Sequence, residues 1–328
     1  MGSSNIKIAL VATCGGHFEQ LSNLDDFYNQ YNHFWVTNKN QQTLSELQEE
    51  KVYFINQGHF KKPWTYLSHI PFYLRVFNKE KPTHIISTGS GRTAFIAFYV
   101  AKMFKIKFIY IESFSRVNVF SKFGAFLIKS GQIIYTQWEN NVNSKTEFIG
   151  PIFKSSVVVN NALKTSNYIF VTLGTRFEQF LRLLKSVEEL KKSGIINKRV
   201  IIQSGYTKYY SNIVEIFDFC TQQQVDSYIA NSEFVITQES AGIGTKCLKL
   251  NKRFIVMPRD YSNGELPSKS DMEEDLHYKL QEMGYTKVVN NIKELETAIL
   301  NINKIKINFS FNNNFALQKL KKIMEKNG

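Results

Sequence analysis

One local pattern occurs twice, near residue 8 and again near residue 170: an apolar strand, a glycine turn, and then Phe-Glu-Gln. The first copy runs Ile8-Ala-Leu-Val-Ala-Thr-Cys-Gly15-Gly16-His17-Phe18-Glu19-Gln20, and the second runs Tyr168-Ile-Phe-Val-Thr-Leu-Gly174-Thr175-Arg176-Phe177-Glu178-Gln179. Each reads as a strand, a glycine loop and a helix beginning at Phe-Glu-Gln, which predicts two Rossmann-like domains in tandem. Glycine loops of this kind aim backbone N–H groups and a helix dipole at an anion. Two such loops facing across a cleft would hold two phosphorylated ligands, the layout of a transferase.

With 328 residues and 43% hydrophobic content, the chain is long enough for two sizeable cores. Apolar and helical periodicities alternate throughout. Helices are predicted at about 17–29, 64–78, 91–104 and 118–130 in the first half. In the second they fall at about 177–192, 222–230, 241–250, 270–283 and 291–302. The polar run Asn160 to Asn167 breaks the pattern. This gives a first domain over 1–160, a second over 161–305, and a C-terminal basic helix within 306–328, placed to reach back to the first domain.

Cys14, Cys220 and Cys247 lie far apart, which predicts a reducing compartment and neither a disulfide framework nor a zinc site. No leader pattern precedes the first strand, and no run of about 18 apolar residues occurs. The expectation is a cytoplasmic chain. The net charge of +13 is concentrated: residues 60–130 hold nine Lys and three Arg against Glu80 and Glu112. Trp64, Tyr66, Leu67, Ile70, Phe72, Tyr73, Val76 and Phe77 interleave with Lys61, Lys62, Arg75, Lys79 and Lys81. Aromatic and basic groups together predict contact of about residues 60–80 with an anionic membrane surface, the alternative being a core helix with a basic outer face. No nucleic-acid-binding motif is present, and no nucleic acid is expected as a partner.

Four loops carry candidate chemistry. In the first, Gly15 and Gly16 allow a tight turn and place His17 at a helix N-terminus, where the dipole disfavours the imidazolium. His17 reads as a general base or substrate contact, or else as a helix cap or phosphate ligand. The second, Gly89-Ser90-Gly91-Arg92, follows a strand and opens a helix. With Ala94 and with Glu112 about 20 residues on, it also matches a dinucleotide fingerprint, and an NAD-dependent enzyme is the rival reading. The third holds Glu112 and Arg116 at a strand end, to orient His17 or contact an acceptor, or to form a surface ion pair. The fourth is Gln238-Glu239-Ser240-Ala241-Gly242, where small residues admit a diphosphate; Asp271 and Glu273 follow on the next helix. No D-x-D, H-E-x-x-H or Walker A sequence occurs, so neither a metal nor another resident cofactor is predicted.

Taken together, Val11 to His17, Ser87 to Gly91, Glu112 to Arg116 and Gln137-Trp138-Glu139 resemble the acceptor-binding half of two-part polysaccharide glycosyltransferases of the PssD/PssE type. Phe170 to Thr175, Gln203-Ser-Gly205-Tyr206, Val235 to Gly242 and Ile255 to Arg259 resemble the donor half. The eukaryotic relatives add the second N-acetylglucosamine to dolichyl diphosphate, and MurG is a more distant one. The resemblance implies an α/β GT-B fold, two Rossmann-like domains facing across a cleft. It implies an inverting transfer from a UDP-sugar, as co-substrate, to a polyprenyl-diphosphate-linked saccharide, with a β-1,4 linkage expected. The setting would be capsule, exopolysaccharide or O-antigen synthesis, with the enzyme peripheral on the inner face of the cell membrane.

Carried onto matching positions, Gly174, Thr175, Arg176, Gln203, Gly205, Gln238, Glu239, Ser240, Ala241, Gly242 and Glu273 would bind the donor. His17 and Glu112 would be catalytic, and Gly15, Gly16, Gly89, Ser90, Gly91, Arg92 and Arg116 would bind the acceptor. Gln238 and Glu239 stand where these relatives have His followed by a small residue, and Met272 replaces a histidine. A non-catalytic nucleotide-sugar or lipid-binding subunit is the alternative from outside enzyme chemistry.

Overall fold

The computed structural model describes residues 6–56, 63–89, 92–154, 167–174, 176–267, 275–310 and 312–325, with the backbone alone at 63, 65, 92 and 275. The chain divides into two compact units, one of residues 1–154 with 311–328 and one of residues 155–310.

The first unit runs β1 (Lys7–Val11), α1 (Gly16–Ser22), α2 (Asp25–Tyr28), β2 (Asn32–Thr37), α3 (Gln41–Glu46), β3 (Val52–Phe54), α4 (His69–Glu80) and β4 (His84–Ser87). It continues with α5 (Arg92–Met103), β5 (Lys107–Tyr110), α6 (Lys122–Lys129), β6 (Ile134–Thr136) and β7 (Thr146–Phe148). The second unit contains β8 (Tyr168–Thr172), α7 (Leu181–Lys192), β9 (Arg199–Gln203), β10 (Glu215–Phe217), α8 (Gln222–Asn231) and β11 (Val235–Thr237). Then come α9 (Ala241–Lys249), β12 (Phe254–Val256), α10 (Asp275–Glu282), β13 (Lys287–Val288) and α11 (Ile292–Leu300), before α12 (Asn314–Glu325) joins the first unit.

Both sheets are parallel, with orders β3-β2-β1-β4-β5 and β10-β9-β8-β11-β12-β13. The apolar runs explain this. Along β1, Ile8 and Leu10 join one core cluster while Ala9 and Val11 join another, so both faces of the strand are covered. Strands buried on both faces suit a parallel sheet wrapped by helices rather than a half-exposed antiparallel one. The paired strands β6 and β7 continue from β5 through a bridge between Ile111 and Tyr135. In each unit the first strand lies beside the fourth, and the loops at their carboxyl ends flank a topological switch point.

The helix expected over 17–29 is two helices, because Asn23 turns its side-chain amide back to the Glu19 carbonyl and caps α1 early. The second Phe-Glu-Gln does not start a helix at all: α7 begins at Leu181. Gln179 instead donates to the Tyr206 carbonyl (2.8 Å) and accepts from the Lys208 N–H (2.8 Å), tying its loop to the one after β9. Phe18 of the first copy is fully buried whereas Phe177 is 72% exposed, so the repeat is confined to strand and glycine turn. The segment predicted as a helix over 64–78 is a 3-10 turn, Pro63–Tyr66, followed by α4. Within it Tyr73, Val76 and Phe77 belong to the core, while Trp64, Leu67 and Ile70 face outward. Phe60, Lys61 and Lys62 lie outside the described residues, as do the residues around the expected boundary at 160. Strands β7 and β13 and helix α3 had no strong sequence signal. No helix among the described residues is long and apolar enough to cross a membrane.

Helix α12 buries Ala316, Leu320, Ile323 and Met324, a single face by helical spacing, in the cluster that holds Ile8, Leu10, Leu21 and Phe27. Phe315 stacks on Phe148 at 5.7 Å between ring centroids, and Asn313 donates to the Asn23 carbonyl (3.0 Å). Leu320→Ala, which removes a side chain with no solvent exposure, should lower stability by about 2–5 kcal/mol in urea denaturation.

Candidate functional site

In the first unit, the loops after β1 and β4 meet at His17. Its Nδ1 lies 2.8 Å from the Thr88 carbonyl, which can only accept. Nδ1 therefore carries the proton, and the Nε2 lone pair is left for other chemistry. Thr88 Oγ1 donates to the His17 carbonyl (2.7 Å), a second tie between the loops. Gly89 packs against the imidazole at φ +117°, and a Cβ there would come within 2.7 Å of the ring. Burial pushes the His17 pKa below its ordinary value; the Thr88 bond opposes this, and the positive charge of Arg116 adds to it. The ring is thus neutral near pH 7, with Arg116 close enough to act on it. Gly15, at φ +91°, and Gly16 have open space where side chains would stand. Arg92 opens α5, and Ser90 and Gly91 lie outside the described residues.

Glu112 is placed differently from the expectation that it orients His17. It is fully buried, with Oε1 accepting from the Tyr110 hydroxyl (3.1 Å) and the Ser113 N–H (3.0 Å). Oε2 accepts from the Ser121 N–H (3.0 Å) and hydroxyl (2.9 Å). Ser121 is itself the N-cap of α6. These four bonds fill the carboxylate's acceptor positions. Glu112 makes no hydrogen bond to His17, and it anchors the start of α6. It is equally unable to take a ribose diol, which removes the acidic group that the dinucleotide fingerprint requires. Beside it, Gln20 and Gln137 form a buried amide pair (2.8 Å), with Gln20 accepting from the Phe114 N–H and Gln137 donating to the Glu112 carbonyl.

In the second unit the glycines interlock. Gly174 (φ +63°) donates to Thr172 Oγ1 (3.2 Å), which donates to Gln203 Oε1 (2.8 Å). A Cβ on Gly174 would meet the Gln238 amide at 2.7 Å, and one on Gly205 (φ +60°) would meet the Gly174 carbonyl at 2.5 Å. Only glycine fits either turn. Ser240 caps α9, accepting from the Ile243 N–H (3.4 Å), and a Cβ on Gly242 would meet only the Ser240 hydroxyl, at 4.0 Å. Thr175 and Glu273 lie outside the described residues, together with Asp271 and Met272.

Gln238 and Glu239 have partners that their spacing did not reveal. Arg259, 2% exposed, donates from Nε to Gln238 Oε1 and from Nη1 to the Glu178 carbonyl (2.8 Å), and its guanidinium stands 4.7 Å over the Phe180 ring. Its backbone N–H donates to Glu239 Oε2 (2.7 Å). Burial raises the Glu239 pKa, against the Arg259 N–H and the positive charges of Arg176 and Arg259. Alongside, Arg182 grips Glu265 through Nε (3.0 Å) and Nη2 (2.8 Å) and bonds the Pro258 carbonyl (2.6 Å). A cavity of about 140 Å³ opens at this carboxyl edge, lined among others by Glu239, Arg259, His277, Asn263 and Asn290. Neither Arg259 nor His277 stood out as a site residue in the sequence; Pro258-Arg259 at a strand end was the one available sign.

No protein-family model matches the chain, and no curated protein matches it in sequence. Solved structures do match. The UDP-GlcNAc 2-epimerase of Methanocaldococcus jannaschii, in complex with UDP-GlcNAc and UDP, is 14% identical, with 98% of this chain and 100% of that one covered and a TM-score of 0.68. MurG of Acinetobacter baumannii is 15% identical over 98% and 99% at 0.60, and the glycotransferase of kitacinnamycin 11% over 98% and 98% at 0.65. These similarities, with the two parallel sheets, give the class: an α/β protein of GT-B fold.

Burial holds His277 down to about 4, below the ordinary value of about 6.5. The unfolded chain therefore takes up this proton first on acidification. Stability should fall as pH drops from about 6.5 to about 4, by up to about 1.4 kcal/mol per unit from this group. His277→Leu should flatten that slope by one proton, read from urea midpoints at each pH.

Proposed function

We propose that the protein is a UDP-sugar-dependent glycosyltransferase. The observation that carries this reading is the carboxyl edge of the second sheet. There two left-handed glycine turns clear the backbone beside a serine-capped helix N-terminus, and Glu239, the residue before that serine, lines a cavity of about 140 Å³. The donor diphosphate lies at the first turn of α9, where the dipole and free N–H groups favour negative charge. The first unit takes the acceptor, a saccharide on a polyprenyl diphosphate. Nε2 of His17 accepts the proton of an acceptor hydroxyl as that oxygen bonds to the anomeric carbon. The bond from that carbon to the diphosphate breaks, inverting the configuration, and UDP leaves at the α9 N-terminus. In this reading the chain is a fused PssD/PssE-like enzyme of cell-surface polysaccharide synthesis, forming a β-1,4 linkage at the inner membrane face.

Thermal melting with UDP, UDP-sugars and NAD tests the donor half: UDP and a UDP-sugar should raise Tm, and a rise with NAD alone would overturn the reading. His17→Ala should reduce turnover about 10²–10⁴-fold with the acceptor present. Unchanged turnover would remove His17 as the base.

A second reading, a UDP-sugar epimerase, is favoured by the similarity to several solved UDP-GlcNAc 2-epimerases. It requires a UDP-sugar to isomerise with no acceptor present, whereas the transferase leaves it unchanged until acceptor is added.

Membrane attachment rests on the outward groups of the segment before α4. Trp64 and Leu67 are each 62% exposed, while Phe72 is half-buried against the core. In liposome flotation, Trp64→Ser/Leu67→Ser should bind anionic vesicles more weakly than the unmodified protein, with no change in Tm. Undiminished binding would refute attachment through this segment.

A further inference from the structure

Gln137-Trp138 stands out in the sequence and takes no part in the chemistry described so far. Its partners lie in residues 112–116, a loop that is neither helix nor strand and yet has nearly all of its backbone bonded. The Glu112 N–H donates to the Tyr135 carbonyl (2.7 Å), and the Glu112 carbonyl accepts from Gln137 Nε2 (2.9 Å). The Ser113 N–H donates to Glu112 Oε1 (3.0 Å), and the Ser113 carbonyl accepts from the Arg116 N–H (2.9 Å). The Phe114 N–H donates to Gln20 Oε1 (3.0 Å), and the Phe114 carbonyl accepts from Trp138 Nε1 (2.7 Å). The Ser115 N–H donates to Ser113 Oγ (3.4 Å), and the Arg116 carbonyl accepts from Asn141 Nδ2 (3.0 Å).

Connecting loops ordinarily leave much of their backbone to water and move accordingly. Here side chains from outside the loop, Gln20, Gln137, Trp138 and Asn141, take the place of water. The amide orientations follow from backbone donors. The Phe114 N–H can only donate, so Gln20 turns its oxygen to it, and the Ile152 N–H fixes Gln137 Oε1 in the same way (3.0 Å). The Trp138 ring also stacks on Phe114 with centroids 4.7 Å apart, and Phe153 packs edge-on against the same ring at 5.1 Å.

The brace ends at Arg116, whose positive charge acts on His17. Gln20 stands one turn after His17 on α1, so the amide that grips Phe114 belongs to the helix that carries the imidazole. His17 and Arg116, far apart in the chain, are thereby two ends of one braced piece. A cation whose main chain is already fixed loses less freedom when it meets its ligand, which is the gain of preorganisation. We infer that Trp138 and Asn141 are positioning residues, which fix the main chain at Phe114 and Arg116 and so hold the guanidinium beside His17. One rigid piece then offers a base to the acceptor's hydroxyl and a cation to an anionic group on the same acceptor. The acceptor's part in this rests on the transferase reading above; the holding of Arg116 beside His17 does not.

A double-mutant cycle read on the His17 imidazole tests the holding without any substrate. The full chain is titrated by NMR with labelled histidine, the His17 signal being the one lost in His17→Ala. Arg116→Ala should move the His17 midpoint upward, because a positive charge nearby disfavours the imidazolium. Trp138→Phe keeps the stack on Phe114 and loses the N–H donor; it should move the midpoint the same way while His84 and His277 stay where they were. In the Arg116→Ala background it should add nothing, since it acts through Arg116. A loss of stability alone would leave the midpoint in place. An unmoved midpoint in Trp138→Phe, or additive shifts in the double variant, would overturn the inference. Asn141→Ala should behave as Trp138→Phe does, and it decides the matter if that variant does not fold. Arg116→Ala on its own is a further check, since no upward shift there would also overturn the inference. With a UDP-sugar and a polyprenyl-diphosphate-linked saccharide, Trp138→Phe should raise the acceptor KM about tenfold, as for a hydrogen bond to a charged group, and change the donor KM by less than about twofold. Equal rises in both would overturn the acceptor's part. If the wild type transferred nothing, the transferase reading would fall and the acceptor's part with it, and the His17 midpoints would still decide whether Arg116 is held.

Discussion

Parallel pairing of each unit's first strand with its fourth is the constraint from which the other features follow. A strand in the middle of a parallel sheet has helices on both faces, and its neighbours on either side are reached by connections that diverge at its carboxyl end. The divergence leaves room there, and the chain fills the space with backbone rather than with side chains. In the first unit Gly89 yields space to the His17 ring; in the second Gly174 and Gly205 yield it to the Gln238 amide and to each other. Bulk at any of these positions would push a loop out of place, so the local conformation of the glycines and the global order of strands are one arrangement.

Arg259 shows how the second unit keeps that edge rigid. A buried guanidinium is costly unless nearly every proton is met, and here the acceptors come from three loops: Gln238 after β11, the Glu178 and Gln179 carbonyls before α7, and the Glu265 carbonyl beyond β12. The Phe180 ring beneath adds a cation–π contact. One side chain thereby fixes the relative positions of three loops that would otherwise move separately. Glu239 belongs to the same assembly through the Arg259 backbone, which gives a physical reason for a carboxylate at a place suited to anions. One of its oxygens holds the loop after β12.

Strand and helix order could be read from apolar periodicity because parallel sheets are built from long, wholly buried runs such as Ile8 to Val11 and Val200 to Ile202. Short elements were not legible: β13 has two residues and owes its existence to pairing with β12. The glycine turns announced themselves, since few other residues tolerate their backbone angles. The function of acidic groups did not. Glu112 looked like a catalytic partner because it ends a strand, yet the structure commits it to Ser121, and nothing in the spacing from 112 to 121 signals a cap made from outside the helix. The Phe-Glu-Gln triplets likewise share letters and not conformation, because Gln179 is held by Tyr206 and Lys208, residues nearly thirty positions away.

The return of α12 to the first unit makes the second unit topologically an insertion, entered after Lys154 and left before residue 311. During synthesis the core around Ile8, Leu21 and Phe27 stays open on the side that Leu320 and Met324 cover until α12 has been made. The inserted unit, whose residues form one uninterrupted stretch, is free to fold before it. Completion of the first unit is thereby made to wait until the whole of the second has been synthesised.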